Sequence, residues 1–501
     1  MAGERVSLKI FSDRIGKDNF SPVNKTFLFV FTSGDFMFDR DEPLWDRTLR
    51  RIRLIWPLGD QATLKNSVEA DLPDGDLQKL RARIDACLEG RGGEVSARTR
   101  AAELGETYLV LNSEGRKRFL ELLAREYDVD NEAVETAIAA RLQNSDPEDK
   151  RQKNHALRNL FISPRTQLLR QFNGLQEGVK FLVDLRAELL PLTAGDPALK
   201  SLDQDILGLL SSWFDVGFLD LQRITWETPA ALLEKLIKYE AVHAIRSWQD
   251  LKNRLREDRR CFAYFHPRMP QEPLIFVEVA LVNGIAANIH DLLDESKPTL
   301  APRQADCAIF YSISNCQAGL AGVGFGNFLI KNVVKDLSAK LPNLKTFSTL
   351  SPIPGFLAYF RNHPEEVVFS ERELKALKKM AGETDAKEFF LAALDNLGEH
   401  LKEDTPSPLK PILLRLCARY LLSAKKGRQA FDRVSHFHLS NGAKIERINW
   451  AADLSEKGIG QSAGMMVNYL YQLSHIEKHH ESYTESGDIA VSSAVSKMAR
   501  L

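Results

Sequence analysis

Cysteine is scarce and badly placed for cross-linking. The five in this 501-residue chain, Cys87, Cys261, Cys307, Cys316 and Cys417, form no CxxC pair and no zinc-type spacing. An odd count in so long a chain is a poor disulfide framework, so a reducing compartment is expected. Long apolar runs are missing too. No stretch approaches 18 uncharged apolar residues, and the opening MAGERVSLKIFSDRIGKDNF carries Glu4 and Asp13 with no apolar segment of signal-peptide length. The expectation is no membrane span, no secretion and a cytoplasmic location. Ala499-Arg500-Leu501 misses the Ser-Lys-Leu peroxisomal address at its first two positions. Charge of one sign is also absent. With 67 basic against 68 acidic residues, nothing draws the whole chain onto nucleic acid or anionic lipid, so an anionic ligand needs a local site.

What is there, 44% hydrophobic and 27% charged residues, describes a globular chain long enough for two or more domains. Lys25–Phe38 has strand-like content but no partner strand, and residues 1–70 read as an extension of unassigned structure. From about Leu72 the pattern is helical. Arg116–Glu126, Asn131–Leu142 and Leu168–Leu190 repeat apolar residues at three- and four-residue intervals, with breaks at Asp146-Pro147 and Gly195-Asp196-Pro197. These helices predict a bundle over 71–215, serving as scaffold or self-association surface. Beyond helical Ala230–Ile245 and Trp248–Leu255 the period shifts to 2. Arg260–His266 and Leu274–Leu281 read as a hairpin around a turn at Pro267–Pro273. Strand Cys307–Ser314, a glycine-rich loop, helix Phe328–Leu337 and strand Lys345–Leu350 follow, the neighbouring strands reading as antiparallel. Helical material fills 357–425. Then His436–Ser440, the turn Asn441-Gly442 and Ala443–Trp450 read as a second hairpin, and Met465–His475 as a helix. The expected order is a helical domain, then a mixed domain over 216–501.

Three local patterns could carry chemistry. Gly319–Asn327 sits between a strand and a helix, where glycine lets backbone amides approach a ligand and the first helical turn offers unpaired N–H groups to a phosphate. The glycines follow neither a dinucleotide nor a Walker pattern, and a tight structural turn accounts for them equally well. Lys331 and Lys335, four apart on the next helix, could meet phosphates or simply face solvent. Ser351, in Leu350-Ser351-Pro352-Ile353-Pro354-Gly355, ends a strand on a stiff bend that could aim its hydroxyl into a cleft; a turn-capping serine is the bland alternative. His436 and His438, read on a strand, share one face. With no third ligand at usable spacing, one acid–base histidine is a better reading than a metal site, and satisfied core histidines remain the alternative. Gly460-Gln461-Ser462-Ala463-Gly464 matches the nucleophile elbow, but no strand precedes it and too little chain follows for an acid and a histidine in order.

Together these pieces resemble the malonyl-CoA decarboxylase family. The resemblance rests on Tyr311-Ser312-Ile313-Ser314, Gly319-Leu320, Gly322-Val323, Phe328-Leu329-Ile330-Lys331, Leu350–Phe356, Phe437-His438-Leu439 with Asn441-Gly442-Ala443, Arg447–Trp450, Asn468-Tyr469 and Tyr471, in that order. It is dense from about Ile224 to Gln472. It implies α plus α/β: an all-helical, oligomer-forming amino-terminal bundle, giving a tetramer or dimer, and a GNAT-like mixed α/β catalytic domain. It implies malonyl-CoA as substrate and partner, acetyl-CoA and carbon dioxide as products, and no metal and no cofactor beyond the CoA thioester. The CoA-binding stretch maps onto Ala321, Gly322, Val323, Gly324, Phe325, Gly326 and Asn327, the catalytic serine onto Ser351 and the catalytic histidine onto His438, with Tyr471 a candidate for positioning substrate. The sequence departs at Gly324, where relatives carry an acidic residue, and over Cys316–Ala318.

The chemistry expected is loss of carbon dioxide from a carboxylate beta to a thioester carbonyl, leaving an enolate. Such a site needs donors on the enolate oxygen, little water, and a proton for the alpha carbon. An imidazolium at His438 is expected to give the proton, its unperturbed pKa of about 6.5 lying near neutrality, while Ser351 hydrogen-bonds the malonyl group. Two other readings are a GNAT-type acyltransferase, which needs a pocket for an amine, and an interaction protein with a decayed CoA fold.

Overall fold

Aspartate and proline set where the amino-terminal helices begin. The computed structural model describes residues 68–89, 93–143, 146–324, 326–395, 397 and 409–500. The strand expected over 25–38 lies outside them. Helices α1 (Asp74–Leu88), α2 (Gly93–Val110), α3 (Ser113–Glu126), α4 (Asn131–Leu142), α5 (Pro147–Leu160), α6 (Pro164–Phe172), α7 (Gly178–Leu189) and α8 (Pro197–Trp213) come first. Asp146 caps α5, Ser163 α6 and Asp196 α8, each followed by proline at the first helical position, where its missing N–H costs nothing. The breaks read from the sequence are thus helix starts. The Leu168–Leu190 segment is two helices, because the chain turns back at Glu177 (φ 59°) and Gly178, where a Cβ would overlap the Phe172 carbonyl oxygen. Leu120, Leu182, Leu202 and Ile206 form the buried seam. Arg165, also buried, satisfies its guanidinium with Asp205 (2.7 Å), the Ala124 carbonyl (2.8 Å) and Ser201 (2.8 Å).

The mixed part carries strands β1 (Asp220–Ile224), β2 (Arg259–His266), β3 (Met269–Val282), β4 (Cys307–Asn315), β5 (Thr346–Thr349), β6 (Ser351–Pro352), a small pair β7 (Lys425–Lys426) and β8 (Gln429–Ala430), then β9 (Lys444–Asn449) and β10 (Met466–Leu470). The main sheet runs β1-β2-β3-β4-β5-β10-β6, with β9 on β10. Its helices are α9 (Ala230–Tyr239), α10 (Trp248–Arg254), α11 (Ile289–Leu293), α12 (Gly326–Lys340), α13 (Phe356–Asn362), α14 (Glu371–Ala381), α15 (Ala386–Ala393), α16 (Leu409–Ser423), α17 (Arg433–Ser440), α18 (Glu456–Ser462), α19 (Ile476–Ser486) and α20 (Ser493–Met498). On one face Leu233, Leu236 and Leu251 of α9 and α10 pack on Ala263, Phe265 and Phe276. On the other, Asn332 of α12 hydrogen-bonds the Tyr264 hydroxyl.

Four readings are corrected. First, β4 and β5 are parallel, pairing Cys307 with Thr346 through Phe310 with Thr349, because the glycine loop and α12 form a crossover that returns the chain in the same direction. Second, the β2–β3 turn is only Pro267-Arg268, with His266 opposite Met269; β3 takes in the prolines beyond it through register shifts near Phe265. Third, His436–Ser440 is helical, within α17. Asp432 caps its start, and Gly442 (φ 81°) follows its end in the left-handed conformation of a helix terminus rather than a hairpin turn. Fourth, Met465–His475 holds strand β10, buried on both faces, so its apolar run, broken by Asn468, mimics a buried helix.

Candidate active site

The site forms where parallel pairing stops. Past Phe310 and Thr349, β4 continues to Asn315 along β3 alone, while β5 swings into β6 and pairs with β10 through Ser351 and Val467. The carboxyl ends of two parallel strands therefore splay apart, the place where open sheets admit ligands. The glycine loop leaves β4 at that end, and Ser351 follows β5 at the same end. Alternation puts Thr349 and Ser351 on the α12 face, together with Val467, Tyr469 and Tyr471 from the β10 segment.

On this face Ser351, His438 and Tyr471 make one hydrogen-bonded chain. Ser351 Oγ lies 3.0 Å from His438 Nε2, and His438 Nδ1 lies 2.8 Å from the Tyr471 hydroxyl. Ser351 donates its own proton to Thr349 Oγ1 at 2.9 Å, and Thr349 Oγ1 also accepts the Tyr469 N–H at 3.1 Å. With the serine proton committed, the network assigns the imidazole proton to Nε2, donating to Ser351, and leaves Nδ1 to accept from Tyr471. All three are buried, Ser351 at 5% exposure and His438 at 2%. The Tyr469 ring stacks on His438 at 4.6 Å and 25°. Burial alone pushes the His438 pKa down to about 3 and holds the Tyr471 phenol well above its ordinary value. The resting imidazole is therefore neutral, which corrects the expected imidazolium.

Helix geometry separates the two histidines. Two residues along a helix turn about 200°, so His436 faces away and meets the Tyr483 hydroxyl at 2.9 Å. His438 is placed by Asp432. One carboxylate oxygen accepts the Val434 and Ser435 N–H groups, both at 3.0 Å; the other accepts the Gly355 N–H at 3.2 Å and the Tyr420 hydroxyl at 3.4 Å. The bend after Ser351 and the helix carrying His438 thus hang on one side chain, whose pKa burial raises. At Gly355 a Cβ would overlap the Tyr420 hydroxyl. Sequence reasoning gave no role to Asp432, Thr349 or Tyr469. Asp432 was findable as a helix-start signal; Tyr469 stands in the matching Asn468-Tyr469 pair without a role, and Thr349 carries no signal, since the value of both is in the register.

The loop residues are placed in part. Ala318–Leu320 is a 3-10 turn, Gly322 has φ 86°, Ala321, Gly322 and Gly324 are exposed, and nothing lies near a Cβ built on Gly324. Phe325 lies outside the described residues, and Gly326 and Asn327 open α12, which packs against α17. Loop and dyad thus share one end of the sheet without a direct hydrogen bond among the described residues. Lys331 is half-buried and Lys335 exposed. Ser462 of the elbow-like motif ends helix α18, buried, its hydroxyl donating to the Met465 carbonyl at 2.7 Å. Among the described residues no group of three or more His, Cys, Asp or Glu could hold a metal ion, and no helix is long and apolar enough to cross a membrane.

A helical part, a mixed sheet splayed at one parallel pair and a buried Ser–His–Tyr chain at the splay define a dyad-type site on a two-part α and α/β chain. The malonyl-CoA decarboxylase C-terminal domain profile matches residues 217–501, and the N-terminal domain profile 127–214. The malonyl-CoA decarboxylase, mitochondrial, of Rattus norvegicus is 37% identical over 451 residues, 85% of this chain and 88% of that protein. That of Anser anser anser is 37% identical over 420, covering 80% and 83%. Crystal structures of malonyl-CoA decarboxylases from Rhodopseudomonas palustris (TM-score 0.76, 41% identity, 84% of this chain and 99% of that one) and Agrobacterium vitis (0.75, 40%, 84% and 100%) have the same fold. The chain belongs to the malonyl-CoA decarboxylase family.

Proposed function

We propose that the chain is a carboxy-lyase that converts malonyl-CoA to acetyl-CoA and carbon dioxide, with Ser351 and His438 as its catalytic pair and Ala321–Asn327 as its CoA loop. The observation that carries the reading is the Ser351–His438–Tyr471 chain at the splayed end of the parallel pair. The bond between the carboxylate carbon and the alpha carbon breaks, its electron pair moves into the thioester carbonyl, and carbon dioxide leaves an enolate. Ser351, turned from Thr349 toward the ligand, donates a hydrogen bond to that oxyanion, an interaction worth roughly 3 kcal/mol in a dry site.

A neutral network can then finish the reaction. A thioester enolate is a far stronger base than a phenolate, so proton transfer runs downhill even though burial disfavours the Tyr471 anion. The alpha carbon takes the Ser351 proton, Ser351 regains one from His438 Nε2, and Nδ1 takes the Tyr471 proton. Solvent neutralises the tyrosine as product leaves. Only malonyl-CoA and one proton are consumed, so no cofactor is required, and activity is expected to survive dialysis against a chelator.

Incubation with malonyl-CoA alone tests the function. Acetyl-CoA and carbon dioxide in equal amounts without an acceptor support it; turnover only when an amine is added would instead mark an acyltransferase. Self-association through the helical part, as dimer or tetramer, belongs to the same proposal, and a monomer in the ultracentrifuge would end it. So does a cytoplasmic location. The vertebrate relatives are named as mitochondrial, and recovery in a mitochondrial fraction would overturn it.

A further inference from the structure

The helical part reaches into the glycine loop through one side chain. Arg186 of α7 is buried, and its Nη1 donates to two loop carbonyls at once, Gly319 O at 2.7 Å and Ala321 O at 2.6 Å. Its Nε donates to Asp203 of α8 at 2.7 Å, which holds the fork in place. The contact is close by construction: a Cβ on Gly319 would overlap the Val183 carbonyl oxygen of α7, and Leu207 of α8 lies beneath Gly322. From the sheet side Gln317 Nε2 donates to the Pro273 carbonyl at 2.9 Å. The loop is therefore clamped between the helical part and the β2–β3 hairpin.

Peptide planarity turns this clamp into a positioning device. In a trans peptide the N–H points opposite to the preceding C=O. Drawing the Ala321 carbonyl toward α7 therefore turns the Gly322 N–H away from α7, and Gly322 is exposed. An outward amide on an open glycine is the donor a phosphate oxygen requires. We propose that Arg186 is a positioning residue for acyl-CoA binding, so that the helical part sets the affinity of the substrate loop while taking no part in the chemistry. The inference rests on reading Ala321–Asn327 as the CoA loop.

Arg186→Met removes both carbonyl contacts at similar length, and apparent affinity falls in proportion to the fraction of loop held in the competent form. Two charge-assisted hydrogen bonds lost predict a rise of about tenfold or more in the Kd for CoA and the KM for malonyl-CoA. The kcat at saturation is expected to stay within about twofold, and Arg186→Lys, which restores one donor, should fall between. A general structural defect would lower kcat or active fraction without this split. Gly324→Val, measured beside it, tests the loop itself. If Gly324→Val raises Kd and Arg186→Met does not, the clamp is refuted and the loop reading stands; if neither moves Kd, the loop is not the CoA site and both fall. Should Arg186→Met fail to fold, Asp203→Asn, which loosens the guanidinium but leaves it on the loop, is expected to give a smaller rise in Kd at unchanged kcat, and an unchanged Kd would overturn the proposal.

Discussion

Acidification should expose the neutral state of His438, and the size of the effect follows from its burial. An unfolded histidine titrates near 6.5, whereas His438 in the fold takes a proton only at about 3. At pH 7 both states are neutral, so the group contributes nothing to the difference. As pH falls below 6.5 the unfolded chain binds the proton and the folded chain does not, so stability is lost, and the loss continues until the folded pKa is reached. At about 1.36 kcal/mol per unit, acidification to pH 4.5 costs about 3 kcal/mol at this one residue, and about 5 kcal/mol by pH 3. Burial pushes the His243 pKa down as well, so it adds a loss of the same sign. Urea titrations of wild type and His438→Gln at pH 7 and 4.5 isolate the term: the variant, having nothing to titrate, should lose about 3 kcal/mol less than wild type. Equal losses would show that His438 is not held neutral. The same state makes kcat/KM flat from about pH 5 to 8 with respect to this histidine, so an inflection near 6.5 assignable to it would refute the neutral relay.

Ser351→Ala removes the oxyanion donor and the immediate proton source together, so kcat should fall by at least about 10²–10³, the usual cost of the donor alone, with little change in the Kd for CoA; turnover near wild type would remove the serine from the mechanism. Tyr471→Phe leaves Nδ1 of a buried imidazole without a partner and breaks the relay. The expected result is a fall in kcat of about 10–100-fold at constant KM, together with a stability loss of about 1–3 kcal/mol; a solvent isotope effect on kcat unchanged from wild type would argue against a relay through this phenol. Asp432→Ala removes the cap of α17 and its tie to Gly355, costing about 1–2 kcal/mol by thermal denaturation. It should lower kcat more than the stability loss explains, and unchanged kcat in folded protein would dismiss the tie.

How much of this was legible depended on whether the deciding physics is local. The helices of residues 71–215 were, because proline and capping aspartate act within a turn. Strands β2 to β5 were, because β-branched and aromatic runs there are bounded by breakers. Three errors share one cause. In α17, alternating polar and apolar residues over Ser435–Ser440 imitate a strand, and the Asn441-Gly442 pair serves a helix end as readily as a hairpin. In β10, burial on both faces erases the period of 2. In Leu168–Leu190, the apolar spacing runs across the turn at Glu177. Each is settled by what packs against the segment, which a single sequence does not contain. Ser351 and His438 were candidates from local patterns and took their roles, with Tyr471, from the resemblance, whereas the roles of Thr349 and Tyr469 emerge only from the pairing of β5 and β6 with β10.

The parallel pair is what makes the rest necessary. Had β4 and β5 run antiparallel, as the neighbouring strands first read, the carboxyl end of one would lie beside the amino end of the other, and no pair of carboxyl ends would open where Ser351 now stands. A crossover through the glycine loop and α12 instead brings two carboxyl ends side by side, and the short β5 ends the pairing at Thr349. β10 runs along the opposite edge of the same ribbon, pairing with β5 at Ser348 and with β6 at Ser351 and Pro352. That ladder brings the tyrosines that contact His438 to Ser351 from a strand more than a hundred residues further along the chain. The dyad is thus a product of sheet topology rather than of any local motif. A substitution that straightens β5 past Thr349 is expected to abolish turnover while leaving the side chains of the proposed pair, Ser351 and His438, intact.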